Sequence, residues 1–272
     1  SPRYGGLVPS DSSNPGSTVQ EMRYEGFAIH NWTLNERMGL ESSLVYETSE
    51  IEQSGQFSKS RSFDFFRPKL DYRFDITSSL QLRASIERQI SQLSFSHFTA
   101  SANTSDRDKT ANAGNPDLAQ EKEIRYELNL EYRLPDDAGV LTSRFFYRDI
   151  EDVIGRIDVS GDSSSPVSAA GNIGNGIRYG VYLDASTRLG FLGLPDAMLT
   201  TNLNVFDSRI TDPFLGIERR FNSRGSASVG FRHDLPALEM NYGFNYHANF
   251  NGGEKHIDID VIEQHFSQPG LN

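Results

Sequence analysis

The chain has 272 residues, and its 26 Lys and Arg against 37 Asp and Glu give a formal net charge of −11. This acidic balance, with no local basic patch, argues against a protein that binds nucleic acid through phosphate contacts. There is no cysteine, which excludes disulfides, thiolate metal sites and a cysteine nucleophile. The mean hydropathy is −0.51, and no apolar run approaches the roughly 20 residues of a membrane-spanning helix.

The predicted elements are β-strands, because apolar and polar residues alternate along much of the chain. The first strand, residues 22–34, changes phase around Gly26 and Phe27, and we assign a β-bulge there. In residues 123–134 the alternation is unbroken, with apolar side chains at even positions and polar ones at odd positions. The same pattern recurs in residues 66–74, 80–87, 177–189, 226–235 and 238–247. We expect about eleven strands, many longer than the usual length of about five or six residues.

The connections between these strands are of two lengths. Tight turns are predicted at Asn35-Glu36, 75–79, 135–139, 193–197 and Leu235-Pro236, and longer polar loops at 49–60, 96–121 and 160–176. Short turns therefore fall at one end of the strands and long loops at the other. This asymmetry is typical of an antiparallel up-and-down barrel of the outer-membrane type.

A soluble β-sandwich or jelly roll also has alternating strands, and it is the alternative fold. It would make the chain a soluble or surface-attached all-β module that recognises glycan or protein, with its aliphatic face buried against a second sheet. The barrel is favoured because charged and amide side chains fill one face of the strands with few apolar interruptions. Aromatic residues near strand ends, such as Tyr72, Phe74 and Tyr132, also indicate the aromatic girdles of membrane barrels.

The segment that precedes and enters residues 123–134 has a more specific pattern. Gly114-Asn115-Pro116-Asp117-Leu118 comes before Glu121, and the strand then carries Tyr126-Glu127-Leu128 and Glu131-Tyr132. This segment resembles the barrel domain of TonB-dependent outer-membrane receptors, where a GNP-x-L-x-x-E loop end leads into a YELGxEY strand. Downstream segments are similar to that family in their order: 145–157, Asn172-Ile173-Gly174, 179–186 and 199–212. We expect the matched residues to fix a loop-to-strand junction; they are Gly114, Asn115, Pro116, Leu118, Glu121 and Tyr126.

The resemblance implies an all-β, antiparallel, up-and-down transmembrane β-barrel. Receptors of this family close their barrel with about 22 strands, so residues 1–272 would form a partial barrel domain. The family's plug domain and C-terminal closing strands are not recognisable in the sequence, and residues 1–20 lack the pattern of a secretory signal. An open half-barrel would expose two strand edges to lipid. We therefore expect a fragment, one piece of a split barrel, or a piece of a longer receptor.

By the same resemblance, the protein would be a receptor for active transport in the outer membrane of a Gram-negative bacterium. It would bind a scarce nutrient, such as a ferric siderophore, haem, cobalamin or a carbohydrate, and import it with energy that TonB supplies through the plug domain. The expected partners are TonB, a small nutrient ligand and outer-membrane lipid, and no nucleic acid. We expect neither a cofactor nor an enzymatic activity. The identity of the ligand stays open at this point.

Two sets of residues are candidates for contact with the ligand or the plug. Loop 96–121 is long enough to be functional or disordered, and its candidate ligand-binding residues are His97, Phe98, Asp106, Arg107 and Lys109. The second set lies on the polar face of the strands, where it would line the lumen or meet the plug, or would only solvate the interior. It comprises Arg67, Arg73, Arg125, Glu127, Glu131, Arg133 and Arg178.

Catalytic and metal-binding motifs are weak in this sequence. The six histidines lack a close metal-ligand spacing, and no GxSxG elbow supports an outer-membrane esterase, which is the third interpretation. The glycines of residues 171–176 have the wrong spacing for a dinucleotide-binding loop. In the alternating residues 256–265, Asp258 and Asp260 would share a face with His256 as a candidate cation site, and a solvated strand face fits the same pattern.

Overall fold

The computed structural model of the protein describes residues 18–54, 59–94, 97, 101–102, 111–115, 117–159, 167–213, 216–222, 224–250 and 265–270. Within these ranges the chain is built from β-strands joined by turns and loops. The strands are β1 Thr18–Asn35, β2 Met38–Ser54, β3 Lys59–Asp75, β4 Leu80–Ile90, β5 Ser101–Ala102, β6 Ala111–Ala113, β7 Lys122–Arg133, β8 Gly139–Glu151, β9 Ile154–Asp158, β10 Val167–Asn172, β11 Gly176–Leu189, β12 Leu194–Thr211, β13 Glu218–Arg219, β14 Gly225–Leu235, β15 Met240–Phe250 and β16 His265–Gly270. No helix in the described ranges is long and apolar enough to cross a membrane.

Eleven of these strands form a single antiparallel sheet. Its order is β1-β2-β3-β4-β7-β8-β11-β12-β14-β15-β16, so each strand pairs with the next long strand along the chain, and the two-residue strand β13 pairs with β12. The prediction of about eleven strands in an up-and-down arrangement is therefore confirmed. In the described part of the chain β1 and β16 each pair on one side only, so the sheet is open.

The pairing register separates the two faces of the sheet. Leu128 on β7 lies opposite Ala84 on β4 and Phe145 on β8. Asn129, the next residue on β7, lies opposite Arg83. Apolar side chains thus pair with apolar ones and polar with polar, which confirms the faces predicted from the alternation of these strands. We call them the apolar face and the polar face.

The burial of the two faces is the reverse of that in a soluble protein. On β7 the apolar Tyr126 and Leu128 are 44% and 38% exposed, whereas Glu123 is 7% exposed. Large apolar side chains are exposed across the sheet, from Trp32 on β1 to Tyr246 on β15. The sandwich alternative predicted a second sheet against the aliphatic face, and in the described ranges this face is uncovered. Exposed apolar side chains of this extent suit contact with lipid.

The bounds of the predicted loop at 49–60 are wrong, and its residues 55–58 lie outside the described ranges. Strand β2 continues through Ser54 and β3 begins at Lys59, and residues that were predicted as loop are paired, for example Ser49 with Phe63. These strands extend beyond the apolar band, where the lipid-side positions are polar and apolar residues such as Ile51 pack against the loop region on the other face. The alternation that identifies a strand therefore disappears although the ladder of hydrogen bonds continues.

The bulge predicted in the first strand is also wrong. The ladder between β1 and β2 is regular through Gly26 and Phe27, and its register shifts between Thr33 and Asn35 instead. The apparent change of phase has another cause: Phe27 and Ile29 are apolar residues that lie on the polar face. They are 75% and 57% exposed.

The predicted turns lie between the expected strands, and one of them is displaced. The turn predicted at 193–197 is formed by a single 3₁₀ turn at Gly190–Leu192 and by Gly193, and β12 begins at Leu194. Pro195 is thus the second residue of a strand rather than part of a turn. A proline is tolerated at a strand end because few ladder hydrogen bonds need its missing N–H.

Two of the predicted loops, 96–121 and 160–176, contain short strands. They belong to a second sheet in the order β5-β6-β10-β9, in which β6 and β10 are parallel and β9 and β10 are antiparallel. Apolar contacts fasten this loop region to the loop-side end of the polar face, where Ile150 lies opposite Glu123. The contacts form two clusters, the first of Ile51, Leu93 and Leu118 and the second of Ile150, Val153, Ile173 and Ile210.

The reversed burial gives a matched pair of substitutions on β7. We expect Leu128→Arg to lower the free energy of unfolding by about 2–4 kcal/mol, because it places a cation in the middle of a lipid-facing band. Asn129→Arg, one residue away on the polar face, is expected to change it by less than about 1 kcal/mol. The measurement is urea unfolding of the intact protein in phosphatidylcholine vesicles, and equal effects of the two substitutions would contradict the assignment of the faces.

Candidate functional site

The polar face carries all seven residues that were predicted to line a lumen or meet a plug. On β7, Arg125 lies opposite Glu87 of β4 and Arg148 of β8. Glu87 lies opposite Lys69 of β3, and Arg148 lies opposite Arg178 of β11. Because side chains alternate along a strand, the other predicted residues share this face: Arg67, Arg73, Glu127, Glu131 and Arg133. Their contact with a lumen or plug stays a prediction.

A buried carboxylate organises the polar face from β1 to β3. Glu47 is 3% exposed; its Oε1 lies 3.3 Å from Arg23 Nε, and its Oε2 lies 3.1 Å from Arg67 Nη2. Arg67 Nη2 is also 2.8 Å from Oε1 of Glu25, which stands directly opposite Glu47 in the ladder. Two facing carboxylates would repel each other. Arg67 stabilises the pair by bridging them.

A row of three arginines crosses β7, β8 and β11. Arg125 and Arg178 both stand directly opposite Arg148. The buried carboxylate of Glu123 accepts from Arg125 Nε at 2.6 Å and lies 3.8 Å from Arg148 Nη1. Like charges opposite each other in a ladder are destabilising. Glu123 compensates this repulsion on the side of β7 and β8.

Three aromatic rings lie on the polar face beside the arginine row. The ring centroids of Phe146 and Tyr182 are 5.3 Å apart, and those of Tyr182 and Phe206 are 6.3 Å apart. Gly180 lies opposite both phenylalanines. A Cβ atom on Gly180 would be 2.4 Å from the carbonyl oxygen of Val205 and 2.6 Å from Phe206 Cβ. Glycine is therefore required for β11 and β12 to approach each other with these rings in place.

The remaining polar-face residues make local contacts toward the turn end of the sheet. Arg73 Nε lies 3.7 Å from Asp75 Oδ2, and Arg133 Nε lies 3.1 Å from Glu131 Oε1. Both are pairs of residues two apart on one strand, and partly exposed pairs of this kind contribute little stability. Glu127 lies opposite Phe146.

The Gly-Asn-Pro segment joins the loop region to the sheet. Asn115 donates from Nδ2 to the Ala170 carbonyl oxygen at 2.8 Å and accepts at Oδ1 from the Asp117 backbone N–H at 2.9 Å. Leu118 is fully buried in the first apolar cluster, and its carbonyl oxygen accepts from Arg61 Nη1 at 2.6 Å. These contacts fit the expected role of the segment as a junction between loop and strand.

Glu121 connects the same junction to β9. Its Oε1 accepts a hydrogen bond from the Ile154 backbone N–H at 2.6 Å, and its carbonyl oxygen accepts from the Ser91 N–H at 2.9 Å. Burial raises the pKa of the Glu121 carboxyl, and the nearby charge of Glu123 raises it further. The hydrogen bond from Ile154 lowers this pKa, but burial is the larger effect, so the net shift is upward.

Asn172 holds the loop hairpin of β9 and β10 in place. Its Nδ2 donates to the carbonyl oxygens of Ala119, at 3.0 Å, and Asp152, at 2.8 Å, while its Oδ1 accepts from the Ala119 N–H at 2.8 Å. Sequence reasoning placed Asn172 at a loop end and assigned it no contacts. The available signal was its residue type, because asparagine side chains commonly bind the backbone where a strand gives way to a turn.

The structure describes one of the predicted loop ligands, His97. Its carbonyl oxygen accepts from the Asn115 N–H at 2.8 Å, and its Nδ1 is buried without a hydrogen-bond partner in the described ranges. Several predicted residues lie outside the described residues: Phe98, Asp106, Arg107, Lys109 and Pro116, and His256, Asp258 and Asp260 of the candidate cation site. The part of the chain that the structure describes holds no group of His, Cys, Asp or Glu suited to a metal ion.

The fold and the junction motif agree with one protein family. The profile of the family described as TonB dependent receptor-like, beta-barrel, matches residues 1–263. The chain belongs to this family. Its members are receptors and transporters of Gram-negative outer membranes rather than enzymes. A comparison with the sequences of curated proteins gave no match.

Solved structures of outer-membrane receptors share this fold at low sequence identity. The copper transporter OprC aligns with a TM-score of 0.70 and 14% identity over 92% of this chain and 39% of its own. The ferric yersiniabactin uptake receptor FyuA from Yersinia pestis gives a TM-score of 0.63 and 16% identity, over 93% of this chain and 38% of its own. The alcaligin outer-membrane receptor FauA from Bordetella pertussis gives 0.57 and 16%, over 87% and 38%.

The chain therefore spans about two fifths of the length of these structures. Together with the family match, this likeness in fold shows that its sheet resembles part of a TonB-dependent receptor barrel. In that setting the junction motif, from Gly114 to Tyr126, marks the place where a loop enters the barrel wall. Tyr126 itself lies on the apolar face, with its ring centroid 6.1 Å from that of Tyr147.

The raised pKa of Glu121 gives a test of the junction. Because the pKa of Glu121 is higher in the folded protein than in the unfolded chain, the neutral form of this side chain stabilises the fold. This contribution is complete below the ordinary pKa of a carboxyl group and is lost as the pH rises through the folded-state pKa. We expect Glu121→Gln, which keeps the acceptor without the charge, to be at least as stable as the wild type at neutral pH and equal to it near about pH 4. Glu121→Ala leaves the Ile154 N–H without its partner and is expected to cost about 1–3 kcal/mol at both pH values.

The measurement is the free energy of unfolding in urea, at both pH values, with the protein in vesicles. If Glu121→Gln destabilised the protein at neutral pH as much as Glu121→Ala, the ionised carboxylate itself would hold the junction. The proposed effect of burial would then be wrong.

Proposed function

We propose that the chain forms part of the barrel wall of an outer-membrane receptor in a Gram-negative bacterium. The receptor binds a scarce nutrient at its loops and imports it through the barrel lumen. The energy comes from TonB, which acts on a plug domain supplied outside residues 1–272. The apolar face of the sheet contacts outer-membrane lipid, and the polar face lines the lumen.

The observation that carries this proposal is the reversed burial of the two faces. On β7 the apolar side chains extend from Ile124 to Tyr132, which is ~27 Å at about 3.4 Å per residue. The apolar band of outer-membrane barrels is about 25 Å tall, and strand tilt shortens the projected height. The polar face, by contrast, carries the ion pairs of Glu47 and Glu123, which would be costly in contact with hydrocarbon.

Metal-bearing nutrients are the first substrate class to test. The structurally similar proteins are named for copper, for ferric yersiniabactin and for alcaligin. Haem, cobalamin and carbohydrates are further candidates that the family resemblance suggests. Specificity among them depends on loops and on the plug, and most of loop 96–121 lies outside the described residues.

The proposal predicts a nutrient-specific loss of import. An in-frame deletion of the gene is expected to abolish the import of one nutrient. The loss is measured as growth with that nutrient as the limiting source, or as uptake of the labelled nutrient, for ferric siderophore, copper, haem, cobalamin and carbohydrate in turn. The wild-type gene on a plasmid is the control, and it should restore uptake. A strain without TonB should show the same loss, because the transport step needs energy from the inner membrane.

If uptake of every one of these nutrients were unchanged in the deletion strain, the transport function would be contradicted. If uptake were lost in the deletion strain but retained without TonB, the protein would act as a passive channel and the energy coupling would be wrong.

A further inference from the structure

The arginine row is part of a larger cationic surface on the polar face. Arg144 lies opposite Tyr182, two rows nearer the turn end than Arg178. We use the name arginine platform for the guanidinium groups and the rings beneath them: Arg144, Arg148, Arg178, Phe146, Tyr182 and Phe206.

Each guanidinium of the platform lies over an aromatic ring. Arg144 Cζ is 4.2 Å from the centroid of Tyr182, and Arg178 Cζ is 4.6 Å from that of Phe206. Arg148 Cζ is 5.2 Å from the centroid of Phe146. A guanidinium stacked on a ring keeps its N–H edge free for planar, bidentate contact with a carboxylate or phosphate. The rings therefore hold the arginines without using their hydrogen-bond donors.

Two of the three arginines form no ion pair in the described ranges. Arg148 shares Glu123 with Arg125, whereas Arg178 interacts with the charge of Glu123 only at a longer distance and Arg144 forms no ion pair there. Nε of Arg178 and Nε of Arg148 are buried and have no acceptor in the described ranges. Buried donors without a partner cost stability. Because both Nε atoms are buried, a ligand can reach these half-buried side chains only through their terminal Nη groups.

The nearby carboxylates do not supply this anion. Glu127 and Glu87 are on the same face, opposite Phe146 and Arg125 respectively. Neither forms an ion pair with Arg144 or Arg178 in the part of the chain that the structure describes. Asp184 of β11 shares the polar face, but its Oδ1 accepts from Asn202 Nδ2, and it forms no ion pair with Arg144 or Arg178 in the described ranges. The platform is therefore undercompensated on the side of β11 and β12.

We propose that the arginine platform binds an oxyanion group, a carboxylate or phosphate, of the imported ligand on the lumen wall. The inference rests on the proposed transport function and adds the substrate's chemical class: the ligand is anionic. The groups that bind it are the N–H edges of Arg144 and Arg178. Glu123 pairs with Arg125 and Arg148 and offsets the charge of Arg178 only in part.

The position of the platform favours a soluble ligand over a polypeptide segment. Arg178 is the third residue of β11, which begins at Gly176, and Gly176 lies opposite Ile150 and Ile210 of the second apolar cluster. The platform is therefore at the loop-side end of the lumen. A ligand that enters from the loops reaches this end of the wall before the turn end.

The test uses the intact protein, purified from the outer membrane in detergent, with citrate and inorganic phosphate as probes and glucose as the neutral comparison. Isothermal titration calorimetry measures the affinities of the wild type, Arg144→Gln, Arg178→Gln and Arg232→Gln. Arg232 is the matched control: it is on the same face near the turn end, where it pairs with Asp234 at 2.9 Å. Thermal unfolding checks that each variant is folded.

We expect citrate or phosphate, but not glucose, to bind the wild type. Arg144→Gln and Arg178→Gln should each weaken this binding about tenfold or more, because each removes a charged hydrogen-bond donor, and Arg232→Gln should leave it unchanged. Equal binding by the wild type and Arg178→Gln would overturn the proposal.

Failure of both anions to bind the folded wild type would also overturn it. If Arg144→Gln and Arg178→Gln then lowered the melting temperature, the anion would be a carboxylate of the polypeptide. Either result leaves nutrient uptake by the wild-type strain intact, so failure of this inference is distinguishable from failure of the transport function.

Discussion

Backbone hydrogen bonding between neighbouring strands is the constraint on which the rest of this structure depends. A sheet whose apolar face lies in hydrocarbon has no water to satisfy an unpaired N–H or C=O group, so each strand must be paired along its membrane-spanning length. The ladders meet this demand: β1 and β2 pair without interruption from Thr18 to Thr33, and β11 pairs with β8 and with β12 along nearly all of its length. In the described ranges one edge of β1 and one edge of β16 pair with no strand, and in hydrocarbon the N–H and C=O groups of these edges also need hydrogen-bond partners.

Once every strand is paired, the alternation of side chains decides what each face can do. The apolar face is free of ion pairs along β7 and contacts lipid in the proposed setting, and the polar face collects the charges. Charges on one face of a sheet are close together, so like charges must be separated or paired with opposite ones. At β1 to β3, Arg67 bridges two facing glutamates. From β7 to β11, Glu123 and three aromatic rings offset the repulsion between the arginines only in part. This uncompensated positive charge is the reason to expect an anionic ligand.

The sequence was sufficient to predict the long strands and their faces, because period-two alternation is a direct consequence of strand geometry. It failed where the alternation is absent or misleading. Residues 49–54 and 59–60 contain a single apolar residue, Ile51, and were predicted as loop. Phe27 and Ile29 are apolar residues on the polar face that imitated a bulge. The hydrophobic pattern reports the surroundings of a strand, and those surroundings change where the strand leaves the membrane.

The contacts of the candidate site were less predictable than the fold. The motif residues Asn115 and Glu121 were recognised by resemblance, but their partners, Ala170 and Ile154, come from a loop more than thirty residues away, and no local pattern reveals such pairing. The aromatic rings beside the arginine row could not be predicted from the sequence for a different reason. Phe146 and Phe206 are apolar residues on the polar face, as Phe27 and Ile29 are, and only the register shows that Gly180 separates them.

The orientation of the faces is the central claim, and the chain offers a direct way to measure it because it contains no cysteine. Single cysteines at consecutive positions of β7, from Ile124 to Tyr132, can carry a nitroxide spin label in the protein reconstituted into vesicles. The accessibility of each label to oxygen, which partitions into lipid, is then compared with its accessibility to a water-soluble nickel chelate. We predict oxygen accessibility that peaks at every even position and is low at every odd one. Labels that are all accessible to the nickel chelate, or a peak at the odd positions, would contradict the account.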